Sequence, residues 1–336
     1  MIKLNMPTDA LLSHRKTWLK SIQSALEQFL RLPNVHYRES GKTKTYRLKQ
    51  QDKYIFKTLK DNAEDIVLGT PDTLEKCIRK ITPCLRKLKI KQRSIMLAYI
   101  LPKIFDFEYF RDGKLLKWDN YTGKRRRTES NGSKWGGSIY IELLDVNTCP
   151  YCNRQYIFTV RTDNNKRIVK PALDHFFSQS KYPYLSVSLY NLIPSCTTCN
   201  SNLKKDIRFS RKNNIHPFED SLHDFLTINI DKNAKTIHGN ILKSDIQFIF
   251  DPTNKAKTHV KIFALLEFYE NHLDYIREIV QKANDCNPIY LASLAKYNVK
   301  DPLQIYIGNY CQSKDINKRP LSKLTIDICQ QFGLIP

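Results

Sequence analysis

Two Cys-x-x-Cys pairs, Cys149-Pro-Tyr-Cys152 and Cys196-Thr-Thr-Cys199, stand forty-three residues apart in the chain. Each pair, bent in a turn, offers two sulfurs to one ion, and four thiolates make the tetrahedral set that structural zinc prefers. One ion would clamp two distant segments together, so everything between them must fold around the clamp. Asp174-His175 lies inside that span and Asn200 directly follows its last cysteine. A metal-held frame and hydrolytic ligands therefore share about fifty residues.

The remaining composition sets the compartment and the partner. The cysteines number nine, and the opening Met-Ile-Lys-Leu-Asn-Met-Pro-Thr-Asp has no apolar core of signal-peptide length. A secreted disulfide framework is not expected, and a reducing, cytoplasmic setting is. No apolar run approaches the roughly eighteen residues that a membrane span needs. Cys77, Cys84, Cys286, Cys311 and Cys329 stand singly among apolar neighbours and read as small core residues. Fifty-five Lys plus Arg against thirty-three Asp plus Glu leave a charge of +22. A surplus of that size attracts and steers a polyanion, which makes nucleic acid the expected partner.

Periodicity predicts an α+β chain in three parts. Residues 1–137 read as mainly helical with a basic linker. Leu12, Trp18, Leu19, Ile22, Leu26, Phe29 and Leu30 recur at three- and four-residue spacings over 11–31. A second helix starts near Asp72-Thr73 and meets Pro83, and a third covers Ser94 to Ile100 before Pro102. From Asp112 to Gly137 the chain turns polar, with Lys124-Arg125-Arg126-Arg127 and a glycine-rich stretch, a linker by composition. Residues 138–255 form the central module. Tyr156 to Val160 and Ile168 to Leu173 are β-prone, and a short exposed helix follows Cys199. Leu226 to Ile230 and Ile246 to Phe250 suggest a small β addition around a His238-Gly239-Asn240 turn. Residues 256–336 read as helical, with an apolar repeat from Val260 to Ala283 and a last helix from Leu321 to Phe332, ended by Gly333.

Hydrolysing a phosphodiester needs a base for water, a cation for the phosphate charge, and groups that align them. His175, at the end of a β-prone run, is the candidate general base, since neutral imidazole is matched to taking a proton near pH 7. Asp174 points to the opposite face of an extended backbone and offers a hard oxygen for catalytic Mg²⁺ or Mn²⁺. Asn200, fixed by Cys199, is the candidate second ligand. Asn191 is placed to orient the imidazole through a carbonyl oxygen. Lys204, Lys205 and Arg208 continue the same polar stretch and could grip backbone phosphates.

Asp174-His175, Asn191-Leu192-Ile193-Pro194-Ser195-Cys196, and Cys199-Asn200 with Lys204 together resemble the ββα-metal core of the HNH endonuclease superfamily, in the subgroup braced by four-cysteine zinc. The resemblance covers about residues 145 to 220. It implies His175 as general base, Asp174 and Asn200 as ligands of a catalytic Mg²⁺, Asn191 as the middle motif residue, and the cysteines as structural zinc ligands. Many members carry proline three residues after the histidine, where this chain has Ser178. His216, followed by Pro217, is an additional candidate ligand. In overall plan the chain is similar to HNH nucleases of bacterial anti-phage systems such as Septu and some retrons. That likeness implies a DNA-cutting effector with a regulatory ATPase or another defence subunit as partner, its helical flanks adding DNA contacts, binding that partner or restraining the site. The alternatives are a ribonuclease acting on a tRNA-type substrate, a catalytically inactive, zinc-stabilised DNA-binding module, and a restriction component with sequence specificity.

Overall fold

Residues 8–31 form the helix that the apolar spacing predicts, in three consecutive stretches, Thr8–His14, Arg15–Leu19 and Lys20–Arg31, the middle one widened to π geometry. The computed structural model describes residues 3–114, 116–118, 125–127, 135–161, 167–231, 241–251 and 254–336. Lys124 and the expected 238–240 turn lie outside them. Trp18, Leu19, Ile22, Leu26 and Phe29 are buried along the inner helix face, whereas Leu12 is 59% exposed and lies off it.

A hairpin that the sequence reading does not anticipate follows. Asn34–Glu39 pairs antiparallel with Lys42–Arg47 across Ser40-Gly41. Both turn residues take positive φ, 51° and 77°, the conformation of a tight two-residue hairpin turn. Helices Gln50–Asp61, Ala63–Leu68 and Pro71–Arg86 complete the next layer. Thr70 occupies the N-cap position of the last of these and Pro71 opens it, so Asp72-Thr73 sits within the first turn, not at the cap. Pro83 lies inside that helix, which continues to Arg86. Ile90–Ile95, Met96–Ile100 and Leu101–Ile104 likewise run past Pro102, because proline is accepted in a first helical turn. Arg125–Arg127 of the expected linker pairs with Leu116–Trp118 as a short antiparallel ladder.

Among the described residues every sheet is two-stranded. In the centre, Val160–Arg161 pairs with Arg167–Val169, and Ala172–His175 pairs with Leu192–Ser195. The expected Ile168–Leu173 strand is thus divided at Lys170-Pro171, since proline cannot donate to a ladder. Tyr156 makes only a single bridge to Thr148. A π-type helical turn, Thr198–Lys204, follows the second strand of the Ala172–His175 pair.

Leu226–Ile230 and Ile246–Phe250 pair antiparallel over the expected spans. The edge amide of Ile228 donates to Asp327 of the Ser322–Gln331 helix at 2.7 Å. Between them the expected 260–283 helix is replaced by Asn254–Ile262, Leu265–Tyr269 and Leu273–Asn284. The break comes at Ala264, whose φ of 46° cannot continue a right-handed helix. Cys311 and Cys329, far apart in sequence, are buried with their sulfurs 3.9 Å apart. Among the described residues no helix is long and apolar enough to cross a membrane.

Candidate functional site

The first cysteine pair sits at the tip of a tight loop. The Cys149 amide donates to the Gln155 carbonyl at 2.9 Å, and the amides of Cys152 and Asn153 both donate to the Cys149 carbonyl. Asn153 closes the loop with φ of 49°, a left-handed conformation that asparagine tolerates. The second pair opens the helical turn after Ser195, and there the Asn200 amide donates to the Cys196 carbonyl at 3.0 Å. All four sulfurs lie within 4.8 Å of one another and all four residues are buried. Backbone N–H groups aim at the sulfurs, Cys196 at Cys149 Sγ and Cys199 at Cys196 Sγ, both at 3.4 Å. Hydrogen bonds among the thiols hold Cys196 low and push Cys152 and Cys199 up. Four such groups cannot all ionise in a buried pocket without a cation between them. The cluster can hold a zinc ion, for which four thiolates are a suitable tetrahedral set.

The frame is tied to the C-terminal helices. His259 Nε2 donates to the Tyr151 carbonyl at 2.8 Å and Tyr269 donates its hydroxyl to the Cys152 carbonyl at 2.9 Å. The fully buried Asn153 amide donates to Thr148 Oγ1 and to the Ile316 carbonyl. Its Oδ1 accepts from the Lys323 amide at 2.9 Å, and its carbonyl accepts from the Leu321 amide.

Asp174 and His175 occupy successive positions of the Ala172–His175 strand, paired with Ile193 and Leu192. Their side chains therefore leave on opposite faces. His175 Nε2 lies 2.9 Å from the Ser186 carbonyl oxygen, which leaves Nδ1 as the bare nitrogen when the ring is neutral. Phe107 packs edge-on against the imidazole, centroids 4.5 Å apart. Burial lowers the His175 pKa to about 4, only partly opposed by the Ser186 carbonyl and the Asp174 charge. The ring is neutral at physiological pH.

The expected orienting bond from Asn191 is made by Ser186 instead. The Asn191 side chain binds the intervening loop: Oδ1 accepts from the Phe177 amide at 2.7 Å, and Nδ2 donates to the carbonyls of Leu185 and Phe177. Its own carbonyl accepts from the Phe176 amide. Asn191 thus fixes the loop that presents Ser186, one step removed from the imidazole.

Asp174 is 3% exposed, and both its oxygens are engaged. Oδ2 accepts the Tyr151 hydroxyl at 2.6 Å, so the first cysteine loop reaches the carboxylate directly. Oδ1 accepts from Lys204 Nζ at 2.9 Å, and the same ammonium donates to the His175 carbonyl at 2.7 Å. Lys204 is 1% exposed and lies over the Phe209 ring. It cannot meet a phosphate from there, which corrects the surface role expected of it. Lys205 and Arg208 are exposed, as a phosphate contact requires.

Asn200 lines a cleft of about 300 Å³ together with Thr197, Phe107, Leu173, Arg111 and Lys170. Its side-chain amide makes no hydrogen bond to the described residues. His216, the additional candidate ligand, is fully buried against Phe176 at 4.1 Å and belongs to the aromatic core. Sequence reasoning missed Tyr151 and Ser186, which hold Asp174 and His175. The position of Tyr151 between the paired cysteines Cys149 and Cys152 was the one signal available.

Comparison with known proteins adds a short similarity. No protein-family model matches the chain, and no solved structure matches it. Over 86 residues, 24% of this chain, it is 34% identical to the Septu protein PtuB of Bacillus thuringiensis, and the matched stretch spans 30% of that relative.

Proposed function

We propose that this chain is an HNH-type endonuclease that hydrolyses DNA with a divalent cation, and that it serves as an effector in bacterial anti-phage defence. The observation that carries the reading is His175: a neutral imidazole at a strand end, its Nε2 bonded to a backbone carbonyl and its Nδ1 left to accept a proton. The adjacent Asp174 and the cysteine-anchored Asn200 support it. The strand–strand–helical-turn order over 172–204 also agrees with a ββα-metal core. The similarity to a Septu protein supports the defence setting, and an ATPase or other subunit of such a system is the partner proposed to control it.

In this reading His175 Nδ1 removes a proton from the attacking water, while Ser186 keeps the ring in the tautomer that can do so. Phe107 shields the ring from bulk water. Asp174 and Asn200 offer the hard oxygens that Mg²⁺ or Mn²⁺ takes, and a bound ion would offset charge on the phosphate. Lys204 already neutralises Asp174, so this carboxylate becomes available only as the ammonium withdraws.

That ion pair also favours a second reading, a zinc-stabilised DNA-binding module with a silent site. Incubating supercoiled plasmid with the protein and with His175→Ala, in Mg²⁺, Mn²⁺ or EDTA, separates the two. Metal-dependent nicking by the wild type alone is expected. Equal cutting by both proteins would overturn the role of His175, and plasmid binding without cutting would favour the module.

A further inference from the structure

We propose that Arg111 and Lys170 form a phosphate-binding rim that seats a nucleic-acid backbone across the cleft at Asn200, an assignment that takes its substrate from the nuclease reading. Neither residue stands out in the sequence, and they come from separate segments. Arg111 ends the Phe107–Arg111 helix, and Lys170 lies just before the Ala172–His175 strand. Both line the cleft of about 300 Å³ whose other walls include Asn200, Thr197, Phe107 and Leu173. The same Phe107 packs on the His175 imidazole, so a strand lying in the cleft passes beside the candidate base.

The charge balance of the rim is uneven. Asp112 is shared by Arg111 Nε at 3.1 Å, Lys114 Nζ at 3.3 Å and Lys170 Nζ at 3.5 Å. Among the described residues, these three cations share the one carboxylate of Asp112, so two positive charges have no acidic partner there. The cationic side chains are 43%, 42% and 40% exposed, so their pairs with Asp112 are weak and exchange readily for a phosphate. Close backbone approach sets Arg111 in place. A Cβ at Gly136 would lie 2.4 Å from the Phe110 carbonyl oxygen, and one at Gly137 would lie 3.1 Å from the Arg111 Cα. Two glycines thus let the Gly137–Leu143 helix press the Arg111 turn against the cleft.

The test uses the full chain carrying His175→Ala, so that binding is read without cutting. Affinity for a fluorescently labelled DNA duplex is measured by anisotropy over a range of NaCl concentrations. Arg111→Gln and Lys170→Gln are each expected to flatten the plot of log K against log salt by about 0.9 per lost phosphate contact. Lys170→Arg should keep the parent slope. Lys296→Gln, on the Pro288–Lys296 helix and outside the cleft lining, makes the same charge change and should leave the slope unaltered. Slopes unchanged in both rim variants, or lowered equally by Lys296→Gln, would overturn the assignment. Plasmid cutting by the chain with His175 intact is scored separately, so a failed nuclease reading would leave the binding result standing.

Discussion

Lys204 shows how much one side chain can decide inside a site. A lysine is rarely buried unless paired, and this one is paired twice, to the Asp174 carboxylate and to the His175 carbonyl. Removing one partner of a buried ion pair strands the other charge in low dielectric, at a cost of about 3–5 kcal/mol. Lys204→Met should therefore lower stability by that amount in urea unfolding. Adding Asp174→Asn to Lys204→Met should recover part of the loss, because no buried charge is then left unpaired. Additive losses in the double variant would show that the pair is not what Lys204 contributes. The cysteine cluster was legible in the sequence because the spacing of the two pairs marks it, and Asp174-His175 stood out there only through its place between those pairs. The sequence could not rank Lys204, Lys205 and Arg208 by burial, since all three lie in one polar run. Ser186 was equally hidden, because any carbonyl can hold an imidazole and only the folded loop selects one.

At the scale of elements, the cysteine clamp organises more than its own two loops. Tyr151 carries the clamp to Asp174, and Asn153 carries it to the final helix through Lys323 and Leu321. Cys196→Ser, which removes one ligand, should lower the bound zinc measured by atomic absorption. It should also raise amide exchange in both the 148–156 loop and the Ser322–Gln331 helix. Faster exchange confined to the loop would show that the helix does not depend on the clamp. Amphipathic helices and the Leu226–Ile230 pairing were readable because their periods are strong. The Asn34–Arg47 hairpin was not, since its second strand, Lys-Thr-Lys-Thr-Tyr-Arg, buries no residue fully and so shows no alternating apolar face. The break at Ala264 was invisible as well, because alanine favours a helix and tertiary packing overrides it there.

For the whole molecule, burial of neutral histidines joins the N-terminal helices to the site and makes stability depend on pH. His14 donates from Nε2 to the Val187 carbonyl at 2.8 Å and accepts the Trp135 indole N–H at Nδ1, bridging the first helix to the loop that carries Ser186. Burial lowers its pKa to about 3, against a weaker upward pull from the Val187 carbonyl. His216, packed on Phe176, is lowered to about 3 by burial first and then by the charges of Arg211 and Lys255. In the unfolded chain both titrate near the ordinary value of about 6.5. Between that value and about 3 the unfolded state binds the extra protons, so folding is favoured fully above the upper limit and loses ground as pH falls through the window. Each histidine contributes a slope of about 1.4 kcal/mol per pH unit there. Urea unfolding from pH 7 to 4 should show falling stability, and His216→Leu should flatten the curve by one histidine's share whatever its effect at pH 7. Parallel curves for the two proteins would mean that His216 is protonated in the fold. The ring faces Phe176, Phe177 and Phe218, its Nδ1 accepts from the Phe218 amide, and Asp220 accepts from the His216 main-chain N–H; among the described residues no carboxylate meets the ring, which is why the flatter curve is expected.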